Sequence, residues 1–389
     1  MRKIKLLGFG PIHSANVELG DLTILIGPQA SGKTLFLQML KLLVDKDYIV
    51  QTLSRYNYVT DKQPDQILNY FLGDNLSSMW TKNTQVVADG KKYKKGFLLN
   101  TKQKDAREKL FYVPAQRILS IADGRPKNFM EYDNSSPFVL RNFSETLRLF
   151  FQNGMGEEHI LFPLSNRLKS GMKQSFDSSI FHGGEIVIDE QSGQKKMRMK
   201  LVGTSLPFMT WSAGQKEFMP LLMAIYCLSG PPIKTINREH YEYVVIEEPE
   251  MGLHPKAIQA VILQMLEFIN AGFKVVISTH SQVLLEFAWT FSMLSESTKD
   301  KKLRALCDLF DVSYNSNISK MLKGIVEKNL KTYFFSHSQE GAKAIDISTL
   351  DASSVKIEES EWGGLSQFAS RASEVVSKYL SEYDEEGRE

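Results

Sequence analysis

One stretch constrains this chain more than any other: Gly27-Pro28-Gln29-Ala30-Ser31-Gly32-Lys33-Thr34. It reads G-x-x-x-x-G-K-[ST], the pattern of a phosphate-binding P-loop. Ahead of it runs Leu22-Thr23-Ile24-Leu25-Ile26, a short apolar run with β-branched residues. Behind it, Leu35, Leu37, Met39, Leu40 and Leu43 recur at helical spacing, and the helix is expected to reach about Asp45. A buried strand, a glycine-rich turn and a helix start are what such a loop requires, because unpaired N–H groups and the positive helix end then face a nucleotide's β-phosphate. In that arrangement Lys33 reaches the β- and γ-phosphates and the Thr34 hydroxyl ligates Mg²⁺. The pattern therefore implies an α/β fold.

Size and composition do not oppose this reading. At 389 residues, 42% hydrophobic and 24% charged, the chain holds one large α/β domain or two modest ones. A net charge of +2 neither demands nor excludes a nucleic acid partner. The two cysteines, Cys227 and Cys307, stand far apart among apolar neighbours and read as buried free thiols in a reducing compartment. Met1 to Leu7 is basic without the apolar core of a signal peptide. The longest apolar run, Leu221 to Leu228, is far short of a membrane span. A soluble, cytoplasmic protein without a membrane partner is the expectation.

In chain order, Arg2–Leu7 and Ile12–Leu19 read as strands before the P-loop strand. A mixed helical segment follows from Asp47 to about Lys82. Thr84 to Asn100 reads as a hairpin turning at Asp89-Gly90, and its returning strand carries Lys91, Lys92, Lys94 and Lys95. Lysines of this kind guard an edge strand against aggregation, or contact a nucleic acid. Lys109–Pro114 is a buried strand ending at Ala115-Gln116-Arg117. Residues 118–182 read as a helical insertion, with helices around Arg141–Phe151 and His159–Lys169 and no sustained heptads. Gly184 to Val202 reads as a second hairpin. A helix opens at Ser212-Ala213-Gly214-Gln215, with a kink or displaced start expected at Pro220. Tyr243–Ile246 and Phe273–Thr279 read as buried strands, joined by a helix from about Pro255 to Asn270. The segment 298–389 reads as an α+β extension. It has a helix near Ser316–Asn329, strands near Thr332–Phe335 and Ala344–Ile347, and a helix around Gly364–Tyr383.

Four of these stretches bear on chemistry. The strand before Glu247-Glu248 ends in paired acids, as a P-loop fold needs for magnesium and for a water nucleophile; a solvated turn would also read this way. Ser212 with Gln215 makes a capping box, which any helix can use. Yet Gly214 inside the first turn costs helix propensity and permits close approach to the backbone, so the helix start is also a candidate anion site. His280 and Gln116 each end a buried strand, where a structural role is ordinary for either alone.

Their order is not ordinary. P-loop, strand-end Gln, Ser-x-Gly-Gln, acidic pair and strand-end His resemble the ATP-binding-cassette (ABC) type of ATPase head found in the SMC, RecF and OLD families. The likeness covers residues 1–45, 105–117 and 205–285. It implies a P-loop NTPase fold of ABC-head type, with N-terminal antiparallel strands, a discontinuous core (1–117 and 183–297), a helical insertion (118–182) and a regulatory or docking extension (298–389). Gly27, Pro28, Gln29, Ala30, Ser31, Gly32, Lys33 and Thr34 would then be the Walker A motif binding ATP. Thr34, Gln116 and Glu247 would hold Mg²⁺, with Gln116 sensing the γ-phosphate. Glu248 would be the general base, His280 the switch histidine, and Glu250–Pro255 the D-loop region. Glu247 stands where the family usually has Asp, which implies a longer or water-mediated magnesium contact. Gln29 replaces an Asn, and Ala213 a common Gly.

The resemblance also implies partners. In such heads Ser212, Gly214 and Gln215 of one chain close over ATP bound to another, so an ATPase of this kind works as a head-to-tail dimer or higher oligomer. The insertion is too short and irregular for an SMC arm. Too few acids cluster after His280 for the appended nuclease of OLD proteins. Stand-alone heads of this sort resemble the sensor ATPases of bacterial phage-defence operons, which control a separate effector protein. A DNA-binding repair ATPase like RecF and an ATP-gated scaffold with little turnover are the alternatives, so nucleic acid is compatible but not required.

Overall fold

The computed structural model describes residues 1–101, 105–153, 159–164, 166–190, 193–232, 236–365, 371–373 and 375–377. The chain opens with an antiparallel pair, β1 (Lys3–Phe9) and β2 (Ile12–Glu18), and then β3 (Leu22–Ile26), every residue of which is buried. Helices α1 (Lys33–Arg55) and α2 (Pro64–Leu72) lead to the hairpin β4 (Trp80–Ala88) and β5 (Lys91–Tyr93), which turns at Asp89-Gly90 as expected. Next come β6 (Leu110–Val113), the small pair β7 (Ile121–Ala122) and β8 (Arg125–Pro126), α3 (Phe138–Asn153), β9 (Ile160–Phe162) and α4 (Ser170–Phe176). Strands β10 (Glu185–Asp189), β11 (Lys196–Leu201) and β12 (Thr204–Pro207) precede α5 (Ala213–Leu228), β13 (Tyr243–Glu247), α6 (Pro255–Asn270) and β14 (Lys274–Ser278). The remainder holds α7 (Gln282–Met293), α8 (Lys299–Leu309), α9 (Asn317–Lys323), β15 (Leu330–Ser336) and β16 (Ala342–Asp346).

A 10-stranded sheet organises the molecule, in the order β5-β4-β1-β2-β16-β15-β3-β14-β13-β6. Its β15-β3-β14-β13-β6 portion is parallel, and its β5-β4-β1-β2 portion antiparallel. The parallel strands are covered on both faces, which explains their continuous apolar runs. Alternate residues feed opposite cores: Val244, Ile246, Val275 and Ile277 enter one cluster, and Val245 and Val276 the other. Helices α5 and α6 pack into the first cluster, and α1 and α2 into the second. Strand β5 sits at the sheet edge and carries Lys91 and Lys92, whereas Lys94 and Lys95 fall past its end, at the start of a 3-10 turn.

Several expectations change. Helix α1 does not stop at Asp45 but bends there (φ −117°, ψ 20°) and continues to Arg55. The bend lets the buried Asp45 carboxylate accept from Lys109 N and Leu110 N at 2.8 and 3.0 Å, tying α1 to β6. No helix spans His159–Lys169. Phe162 there pairs with Ile186, so the segment 118–182 is mixed α/β and joins a sheet of order β12-β11-β10-β9. Pro220 lies buried within α5, which runs through it without a break. The segment 298–389 is not appended to the core, because β15 pairs in parallel with β3 and β16 with β2. The helix near Ser316–Asn329 ends at Lys323. The one around Gly364–Tyr383 lies largely outside the described residues.

The α1–β6 tie rests on a buried cation. Lys41 Nζ donates to Asp45 Oδ2 (2.7 Å), Glu108 Oε1 (2.5 Å) and Leu110 O (2.6 Å), and its side chain is wholly buried. Burial works against this charge, but Asp45 and Glu108 outweigh it and raise the Lys41 pKa. Asn142 and Tyr241 donate to Glu108 as well, drawing α3 and the start of β13 into the network. Lys41→Met keeps the volume and strands two buried carboxylates, so it should cost about 3–5 kcal/mol. Denaturant titration against wild type measures this; a loss below about 1 kcal/mol would show that the network does not hold α1 to β6.

Candidate nucleotide-binding site

Topology assembles the site. Strand β14 lies between β3 and β13 in parallel register, so Leu25, Ser278 and Glu247 form one row across three strands. Beyond that row the chain turns out at one edge: the P-loop from β3, His280 from β14 and Glu248 from β13. Strand β6 pairs with the far side of β13 (Val113 opposite Ile246), which brings Ala115-Gln116 beside Glu247. Residues that lie far apart in the chain become neighbours because parallel strands end at the same edge.

The P-loop is braced from below. Gly27 has φ 142°, and a Cβ there would lie 2.4 Å from the Phe335 carbonyl oxygen of β15, so only glycine fits. Lys33 folds over the loop and donates to Gly27 O (2.7 Å), Pro28 O (2.9 Å) and Ser31 Oγ (3.4 Å). Burial lowers the Lys33 pKa, while Glu248 and Glu247 favour its charge. Gly32 caps α1, Ala30 adopts φ 61°, and Pro28, Gln29, Ala30 and Thr34 face solvent. His337, which follows β15, places Nε2 3.2 Å from Gln29 O.

Glu247 is 3% exposed. Its Oε2 accepts from Ala115 N at 3.0 Å, and the Thr34 and Tyr112 hydroxyls stand beside it. Its Oε1 is buried without a partner among the described residues. Burial dominates and raises the Glu247 pKa, against the groups that donate to it. A buried carboxylate oxygen with an unmet bond, next to a threonine hydroxyl, is the oxygen donor set a hard divalent cation takes, so the residues fit Mg²⁺. Gln116 is exposed immediately after Ala115.

Glu248 has φ 45°, a strained value for a residue with a side chain. Its N–H donates to Ser278 O at 2.8 Å, and its Oε1 lies 3.9 Å from His280 Nε2. Glu250 fixes the histidine's loop: its Oε1 accepts from Thr279 Oγ1 and His280 N, both at 2.7 Å. Arg117, fully buried, donates to the carbonyls of Glu247, Glu248 and Glu217. Sequence reading assigned no role to Arg117, Tyr112 or His337. The one available signal was Arg117's place directly after Gln116.

Ser212, Gly214 and Gln215 make their contacts at the start of α5 and the elements beside it. Ser212 and Gln215 close a capping box (3.1 and 3.3 Å), and Gln215 Nε2 donates to Ile180 O. Gly214 packs on the D-loop region, where an added Cβ would lie 2.6 Å from Gly252 O. The capping role read from the sequence is present, and the close approach at Gly214 is made by the chain's own Gly252. The exposed Ser212 leaves the helix start open to solvent.

A P-loop on β3 and an acidic pair one strand removed, with a histidine between them, define a P-loop ATPase with an AAA domain. The chain belongs to the family described as "AAA domain, putative AbiEii toxin, Type IV TA system", whose model matches residues 22–286. No curated protein matches it in sequence. Among solved structures it is similar to an SMC head bound to the C-winged helix domain of ScpA, with TM-score 0.41 and 12% identity over 89% of this chain and 96% of that one. The SMC head domain from Thermotoga maritima gives 0.36 and 11% over 89% and 98%. A dimeric bacterial ABC transporter cassette, MJ0796, gives 0.33 and 13% over 73% and 90%.

The raised Glu247 pKa makes a stability prediction. Below the ordinary glutamate value of 4.5 the group is protonated whether folded or not, and it costs nothing. As pH rises through its folded pKa, the fold must bury a charge, and stability is lost. Glu247→Gln should therefore raise Tm near neutral pH by about 2 °C or more, with the gap closing toward pH 4.5. Thermal melts of both proteins across pH test this, and a variant that melts lower at neutral pH would refute it.

Proposed function

We propose that this ATPase works as an ATP-gated clamp in which two copies, head to tail, complete each other's sites. Within one chain Lys33 binds the β- and γ-phosphates, and Gly27 to Thr34 present backbone N–H groups to them. Thr34, Glu247 and Gln116 hold Mg²⁺, which when bound neutralises phosphate charge. Glu248 takes the proton of the attacking water, and His280, 3.9 Å away, orients that carboxylate and contacts the γ-phosphate. Ser212, Gly214 and Gln215 of the second copy close the pocket with a helix N-terminus. The observation that carries this reading is the solvent-facing start of α5, where Ser212 is exposed, Gln215 donates to Ile180 O and Gly214 packs closely on Gly252.

No helix among the described residues is long and apolar enough to cross a membrane, and no cluster of three or more His, Cys, Asp or Glu among them could hold a metal ion. We take the output to be control of a separate effector protein, as in an anti-phage defence or toxin–antitoxin system; the family description, with its toxin and type IV system, supports that direction. Native co-purification with mass spectrometry, in the wild type and in Lys33→Ala, tests for an ATP-dependent partner.

A second reading draws on the basic edge. Lys82, Lys92, Lys94 and Lys95 line a groove of about 550 Å³ with Trp80 and Tyr93, chemistry that suits a nucleic acid backbone. DNA-stimulated ATP turnover would favour this RecF-like alternative.

Glu248→Gln should keep ATP affinity, slow hydrolysis by about 10²-fold or more, and accumulate an ATP-bound dimer. Light scattering at saturating ATP measures the dimer. A variant that stays monomeric there would overturn the head-to-tail model.

A further inference from the structure

We propose that Arg117 is a positioning residue that couples the start of α5 to the carboxylate of Glu248. The inference rests on the reading of Glu248 as the base of an ATPase. Arg117 is fully buried, and its three bonds go to two different elements. Nη1 donates to the carbonyls of Glu247 and Glu248 at the end of β13, both at 3.1 Å, and Nε donates to Glu217 O in α5 at 3.1 Å. Arg167, by contrast, bonds within a single segment. Its Nη1 bonds to Tyr226, Ser229 and Pro231 all fall on one segment, the end of α5 and the turn beyond it.

Two features set Arg117 apart. It holds the carbonyl of Glu248, whose backbone sits at φ 45°, so one arm of the guanidinium supports the strained residue that carries the chemistry. Its surroundings are also only partly satisfied. Arg117 Nη2, Glu217 Oε2 and Glu250 Oε2 are all buried without a hydrogen-bond partner among the described residues. Methionine or leucine would fill the same space without burying a charge, and a half-satisfied polar cluster costs stability. The cluster lies where three moving parts of the cycle meet. Glu217 is in α5, behind Ser212; Glu250 holds the N–H of His280; and the Glu248 carbonyl belongs to the base. A shift of α5 as Ser212 engages a neighbouring copy's ATP passes through Glu217 O and Arg117 to the Glu248 backbone. The fork shape of arginine matters here, since one planar group must reach both elements at once.

The test compares wild type, Arg117→Met and Arg117→Lys in the full chain, reading Tm, kcat, KM for ATP and ATP-dependent dimerisation. Arg117→Met should leave KM and dimerisation unchanged and lower kcat by about 10²-fold, the loss typical of a catalytic group displaced by about an ångström. Arg117→Lys, which keeps the charge but not the fork, should recover part of kcat. An unchanged kcat in Arg117→Met overturns the proposal. So does a fall in kcat, dimerisation and Tm together, or loss of the fold in both variants, since each assigns Arg117 to the core alone. Wild-type protein without ATP hydrolysis would overturn the underlying reading of the site, and the proposal with it.

Discussion

Everything in this molecule depends on the register of one strand. Strand β14 lies between β3 and β13, and its hydrogen bonds level Leu25, Ser278 and Glu247 in a single row. Because side chains alternate at a period of two, a slip of β14 by one residue would send Val275 and Ile277 toward the opposite core and break the alignment of Ser278 with Glu247. The inter-strand hydrogen bonds that fix this register also align the chemistry. Folding and site assembly are here one event.

The C-terminal part of the chain takes a larger share in this than its distance from the P-loop suggests. Strand β15 pairs along the whole of β3 and sets the Phe335 carbonyl directly beneath Gly27. Together with β16 it joins the antiparallel half of the sheet to the parallel half. The phosphate loop is therefore clamped between β14 on one side and a strand more than 300 residues downstream on the other. The β15–β16 hairpin meets the loop by main-chain contact at Phe335 and Gly27.

Charge is handled differently in two buried places. The Lys41 network neutralises most of its charge and is surrounded by donors, so it acts as a fastening between α1 and β6. Around Glu247 and Arg117 the bonding is left incomplete, with orphaned atoms on Glu247, Arg117, Glu217 and Glu250. Incomplete satisfaction of buried polar groups costs stability, and at a candidate site it is a physical mark of function.

The local elements were legible because local physics makes them. The P-loop strand and helix start, the Asp89-Gly90 turn, the capping box at Ser212 and the bounds of α6 from Pro255 to Asn270 all follow from periodicity, φ preferences and end chemistry within a few residues. The set of site residues was legible only as an ordered list, since spacing along the chain does not say which strands are neighbours. What the structure alone decided was non-local: the bend at Asp45, the strand at Ile160–Phe162, the entry of β15 beside β3, and the burial of Arg117 under Glu248. Each depends on a partner dozens to hundreds of residues away, and no local propensity encodes a partner's position. The sequence by itself determined a strand, a glycine-rich loop and a helix start around Gly27–Thr34, because that geometry is built from adjacent residues. Only the tertiary structure decided which carboxylate, histidine and arginine would stand around it, because hydrogen bonds between strands, not the chain, set those distances.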